Sequence, residues 1–183
     1  MKQNVLTLRR TWSSLRPLEV DEVLHARAGD LAASFVTPLT RVAPFGLGLI
    51  GLRHWYGKRF VRGGDGASGV NLVRRGGGLV ETLPMKLSQG ISLADGRPAL
   101  VVEYAADAAR PWRWVRDELR AAPDGTVIGM TFVDLPVLRA VGGTPFLLTP
   151  DNRVTWRTFF FVFVPSGSRT APNHPQEVGG PGR

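Results

Sequence analysis

Residues 113–133 read RWVRDELRAAPDGTVIGMTFV, and this stretch decides the fold. Two runs, Arg113 to Ala121 and Thr126 to Val133, flank Ala122-Pro123-Asp124-Gly125. Pro presets one turn dihedral and Gly accepts a positive one, so the stretch predicts a β-hairpin. Alternation along the first arm puts Trp112, Trp114, Arg116, Glu118 and Arg120 on one face. Arg113, Val115, Asp117 and Leu119 take the other.

The same period of two extends upstream. Tyr56 to Val61 ends at Gly63-Gly64-Asp65-Gly66, and Val70 to Arg74 ends at Gly76-Gly77-Gly78. Leu79, Glu81, Leu83, Met85 and Leu87 share one face of the next run. Ala99 to Tyr104 follows the Asp95-Gly96 turn. Downstream, Thr144 to Leu148 and Val154 to Val164 pair around Pro150-Asp151-Asn152, and Phe159 to Phe163 is apolar on both faces, as in a strand covered on both sides. Seven or eight short strands predict a mainly β chain, an antiparallel barrel that removes its own edges; a β-sandwich is the competing architecture. Such a barrel has room for one small ligand.

Helix is expected at the N-terminal end. Val20, Val23, Leu24, Leu31 and Phe35 recur at helical spacing over Val20 to Val36, with Asp21 and Glu22 in the first turn and Gly29 as a weak point. A short helical piece is expected over Pro136 to Ala140. The Gly-rich apolar run Ala43 to Leu52 is far shorter than the ~20 residues of a spanning helix. It is expected to close one barrel end.

Three segments result: a basic N-terminal arm at 1–18, one barrel domain at 19–164, and a Pro/Gly-rich disordered tail at 165–183. Hydrophobic residues make up 43% of the 183, enough for a real core. Without cysteine there is no disulfide framework, thiolate zinc or thiol catalysis. The pair Arg9-Arg10 lacks the apolar segment of a twin-arginine signal, and a cytoplasmic location is expected. Net charge is +8 from 23 Lys+Arg and 15 Asp+Glu. Lys2, Arg9, Arg10 and Arg16 sit in the arm and the rest is scattered, which argues against a nucleic-acid footprint.

His25, His54 and His174 have no metal-ligand spacing, the Gly-rich turns lack the Lys-Ser/Thr of a phosphate loop, and no G-x-S-x-G occurs. No metal or other cofactor is expected. Glu81 interrupts an apolar face and must be paired, protonated or bound to a ligand; Tyr104 is a candidate donor to it. Glu118 and Arg116 share a face with Trp112 and Trp114 and would enter a cavity with them. Cross-strand ion pairs on a solvent face are the structural alternative. Glu81, Glu118 and Tyr104 are the candidate catalytic residues. Trp55, Tyr56, Leu83, Met85, Trp112, Trp114 and Arg116 are the candidate ligand-binding set.

Trp55-Tyr56-Gly57-Lys58-Arg59-Phe60 resembles the W-x-G-K-x-F segment of the GXWXG-motif family of uncharacterised bacterial proteins. Asp117, Leu119 and Arg120 followed by Thr126-Val127-Ile128-Gly129 resemble the D-x-F-R and T-V-L-G strands of its companion domain. The family's namesake Gly-x-Trp-x-Gly is absent upstream. The resemblance implies a lipocalin-like small barrel and no established activity. By analogy with calycins, Trp55 with Lys58 or Arg59 would close one barrel end. The expected function is binding of an apolar small molecule inside the barrel. A cofactor-independent cyclase or isomerase acting on a polyketide- or polyene-like substrate is the alternative. An interaction or nucleic-acid module using the basic arm is the third.

Overall fold

The structure is a computed structural model that describes residues 4–26, 30–40, 43, 47–48, 50–63, 66–135 and 142–151. Eight strands form its body: β2 (Asp30–Phe35), β3 (Trp55–Gly63), β4 (Gly66–Arg75), β5 (Gly78–Ile91), β6 (Pro98–Tyr104), β7 (Val115–Ala121), β8 (Val127–Val133) and β9 (Thr144–Pro150). Each pairs antiparallel with the next from β2 to β9, and β9 returns to pair with β2. That last pairing closes the sheet into a barrel and excludes the sandwich. A two-residue strand, β1 (Arg16–Pro17), caps the end of β7.

The expected hairpin is β7–β8. Its turn is held by Ala122 N–H to Thr126 O at 2.8 Å and Thr126 N–H to the Asp124 side chain at 2.9 Å, with Gly125 at φ 82°. The arm starts later than alternation predicts: Trp112–Trp114 is a 3₁₀ turn, and the strand begins at Val115.

The helix expected over 20–36 is half right. α2 (Val20–Ala26) is helical, but Asp30–Phe35 is the strand that closes the barrel. Leu31, Ala33 and Phe35 pack on the inner core at a spacing of two, which fits a strand as well as Leu31/Phe35 fits a helix. The elements expected over 136–140 and 154–164, and the tail from 165, lie outside the described residues.

Two apolar clusters result. The interior holds Phe60, Met85, Leu100, Val102, Leu119, Val127, Phe146 and Leu148, among others. Gly129 is required there, because a Cβ would come within 2.1 Å of the Phe146 ring. The second cluster lies outside the barrel wall. Ile128, Met130 and Phe132 of β8 point outward and are covered by Leu8 and Trp12. Leu8 belongs to α1 (Val5–Thr11), capped by the Asn4 side chain on Thr7 N–H at 2.9 Å. Burying a side chain such as Leu8 stabilises by about 1.5–3 kcal/mol. The described part of the basic arm therefore carries a docked helix, Val5–Thr11. Arg9 donates to Gly143 O at 2.9 Å, and Arg16 pairs with Glu22 at 2.6 Å.

Candidate functional site

Strict alternation would place Trp55 and Lys58 on opposite faces of β3. A β-bulge at Tyr56 breaks the register between Trp55 and Gly57, and both side chains turn into the barrel. Lys58 then faces Asn71 across the β3–β4 pair. Tyr104 of β6, Asp117 of β7 and Thr131 of β8 approach the same point, Asp117 and Thr131 as direct cross-strand partners.

Their polar atoms form a closed network. The Lys58 ammonium donates to Asp117 Oδ2 at 2.8 Å, Tyr104 Oη at 3.1 Å and Asn71 Oδ1 at 3.2 Å. Asn71 Oδ1 also accepts the Trp55 indole N–H at 3.0 Å, and Asn71 Nδ2 donates to Tyr104 Oη at 3.1 Å. The Tyr104 hydroxyl donates to Asp117 Oδ2 at 3.3 Å, and Thr131 Oγ1 donates to Asp117 Oδ1 at 2.6 Å. All three ammonium protons are thus used, as a buried charge requires. Among the described residues Asp117 accepts three bonds, which leaves one lone-pair position open.

Burial is the largest single influence on Lys58 and disfavours its charge. The Asp117 carboxylate and Tyr104 together outweigh it, so the ammonium titrates above its ordinary range. Burial, reinforced by Asp117, raises the Tyr104 phenol, while Lys58 works against that rise. At neutral pH Lys58 is therefore a cation and Tyr104 a neutral hydroxyl.

This network forms one wall of an interior cavity of about 130 Å³. The other walls are apolar: Phe35, Leu52, Trp55, Trp112, Val115 and Phe146 are the main ones. Trp55 packs between Phe35 and Phe146, each 5.6 Å away between ring centroids. Trp112 stands 5.2 Å from the Tyr104 ring and ties its indole N–H to Ile50 O at 2.8 Å. Leu47, Ile50 and Leu52 border the cavity, as expected of the apolar run that closes one end.

Of the expected site residues, Trp55, Tyr104 and Trp112 line the cavity. Met85 is buried beside them, with its sulfur 3.9 Å from Lys58 Nζ, and Leu83 packs on the core. Glu81 does not enter. A bulge at Leu83, which sits at φ 48°, shifts the β5 register so that Thr82 pairs with Asn71 and Glu81 turns outward. Its side chain is 56% exposed and pairs with Arg59. Arg116 and Glu118 also face away from the cavity, because the inward residues of β7 are Val115, Asp117 and Leu119. Glu118 is buried under the loop after β5. It accepts Leu93 N–H at 2.7 Å and Arg116 Nε at 3.1 Å. Trp114 lies half-buried between the Arg110 and Arg113 guanidinium groups, and Tyr56 is buried beneath Arg74; neither is among the described cavity residues. Asn71, Asp117 and Thr131 are not expected as site residues from the sequence, and Lys58 is expected beside Trp55 only through the calycin analogy. The one available signal was the Trp55-x-x-Lys58 spacing, which needs a bulge to become a shared face.

Among the described residues no group of three or more His, Cys, Asp or Glu is gathered to hold a metal ion. No helix among them is long and apolar enough to cross a membrane. Fold and site together define a closed eight-stranded antiparallel barrel with a small apolar cavity and a buried Lys-Asn-Tyr-Asp network in its wall. No family model matches the chain, and neither does a curated protein or a solved structure.

Proposed function

We propose that this barrel binds a small, mainly apolar molecule of about one ring's size, with a single hydroxyl directed at Asp117 and Tyr104. The observation that carries the reading is the juxtaposition of an aromatic-walled cavity with one polar wall. Ligand sites have that composition: apolar lining for affinity and a few placed polar groups for orientation. An engineered apolar cavity of about 150 Å³ admits benzene, which sets the size. Asp117 offers a free acceptor position and Tyr104 a proton in a long 3.3 Å bond, so a hydroxyl satisfies both. The likeness to the GXWXG-motif family contributes a barrel and no chemistry.

Tryptophan fluorescence tests this directly, since Trp55 and Trp112 line the cavity. p-Cresol should bind about fivefold tighter than toluene, the effect of one net hydrogen bond. Tyr104→Phe should narrow that gap. Equal affinity for both compounds would remove the hydroxyl from the reading, and binding of neither would remove the reading itself. Native mass spectrometry of protein from its own host, looking for a co-purified small molecule, identifies the natural ligand.

Placement of the Tyr104 hydroxyl between an ammonium and a carboxylate favours a second reading, a cofactor-free isomerase or cyclase in which Tyr104 and Asp117 pass a proton. Once a ligand is known, chemical change during incubation, lost in Asp117→Asn, separates turnover from binding.

A further inference from the structure

Phe35, Leu47, Leu52 and Trp55 line both the inner cavity and a second, outer chamber of about 360 Å³. Its remaining described walls are Ala33, Arg53 and His54. Apolar side chains thus continue from the interior to a mouth that ends on a permanent cation. No carboxylate lines the chamber among the described residues. Arg53 is exposed and makes no hydrogen bond or ion pair with them, unlike Arg59, Arg62, Arg116 and Arg120, which all have carboxylate partners.

The backbone holds that cation in place. His54 adopts φ 60°, a left-handed conformation that histidine tolerates better than most residues, and turns the chain from Arg53 into β3. The His54 carbonyl accepts Arg74 N–H at 3.0 Å, which pins the turn to β4. Arg53 is therefore carried on a fixed corner beside Trp55, and among the described residues nothing engages the planar fork of donors on its guanidinium.

We infer that the outer chamber is an anion subsite, in which Arg53 receives the carboxylate of a ligand whose ring enters the inner cavity past Phe35 and Trp55. The ligand class is an aryl-alkyl carboxylate: apolar ring inside, short methylene linker between the aromatic residues, acid at the mouth. A guanidinium recognises a carboxylate bidentately through its planar fork of donors. The subsite presupposes that the inner cavity takes a ligand, as proposed above.

Isothermal titration calorimetry with 3-(4-hydroxyphenyl)propionate and with 3-(4-hydroxyphenyl)propan-1-ol tests it. The two probes share ring and linker and differ in charge. The carboxylate should bind about tenfold tighter at low salt, and the gap should close toward 1 M salt. Arg53→Gln should bring the carboxylate down to the alcohol, and Arg53→Lys should restore part of the difference. Arg53 is exposed, so neither substitution threatens the fold. Equal affinity of the two probes, or a preference for the acid that survives Arg53→Gln, overturns the anion subsite and leaves the inner cavity reading standing. Binding of neither probe while p-cresol still binds overturns the anion subsite alone, and loss of p-cresol binding as well overturns both.

Discussion

Lys58 Nζ stands 2.8 Å from Asp117 Oδ2 inside the barrel, with the two side chains 1% and 5% exposed. A charge pair this deep is a poor source of net stability, because desolvation offsets most of the attraction. Its members nevertheless depend strongly on one another. Lys58→Met strands a buried carboxylate and Asp117→Asn strands a buried ammonium. Each should cost about 3–5 kcal/mol by urea denaturation at pH 7. The double variant Lys58→Met/Asp117→Asn should cost much less than the sum. Additive losses would show that the two charges do not compensate each other.

The same network predicts an alkaline limit. The folded Lys58 ammonium titrates above its unfolded value of about 10.4, so its contribution is complete below that pH and is lost as pH rises through the folded value. The Tyr104 phenol is also raised: above about pH 10 the unfolded phenol gives up its proton while the folded one keeps it, which again favours unfolding. Both contributions have one sign. The urea midpoint should fall from about pH 10 upward, and less steeply in Tyr104→Phe. Equal slopes in the two proteins would contradict the raised phenol.

Why some of this was visible in the sequence and some was not follows from the range of each signal. Ala122-Pro123-Asp124-Gly125 specifies its turn locally, and the β7–β8 hairpin forms around it. Leu31 and Phe35 are four apart and fit a helix or a strand equally; pairing with β3 and β9, distant in sequence, decides for the strand. Glu81 fails for a different reason. Alternation places it with Met85 and Leu87, but the Leu83 bulge inserts one residue and reverses the face. Tyr56 does the reverse service, bringing Lys58 inside beside Trp55. Bulges are set by the partner strand, so a period of two read along one strand cannot register them. Strand alternation places Trp112 in the cavity, yet it reaches the cavity from a 3₁₀ turn.

Filling the inner cavity should separate binding from folding. Val133 lies at the cavity edge on β8, and Val133→Phe places a ring in the space. Overpacking by a few carbons costs about 1–3 kcal/mol, which a folded barrel survives. Binding of p-cresol should fall below detection while the unfolding transition stays cooperative. Undiminished binding would place the ligand elsewhere.

The outer face of β7 yields the last prediction. Arg120, 1% exposed, uses all five N–H groups: two on Asp95 at 2.7 and 2.8 Å, and three on the carbonyls of Trp12, Pro98 and Arg97. Its guanidinium also lies 4.7 Å over the Trp12 ring, whose indole N–H donates to Ser92. One arginine thus joins the β5–β6 loop to the segment that carries α1. Arg120 hydrogen-bonds hold the Asp95 carboxyl below its usual range. Stability from that shift is present above about pH 3.9 and is lost as pH falls through the lower folded value. Asp95→Asn should therefore weaken the protein at neutral pH by about 1–3 kcal/mol and make its acid limb shallower. Trp12→Ala removes the stacked ring and should cost about 3–5 kcal/mol. In both variants the cover over Ile128, Met130 and Phe132 loosens, so limited proteolysis should cut near residues 12–16 faster than in the parent protein. Unchanged cleavage rates with unchanged stability would mean that Arg120 does not fasten the N-terminal helix.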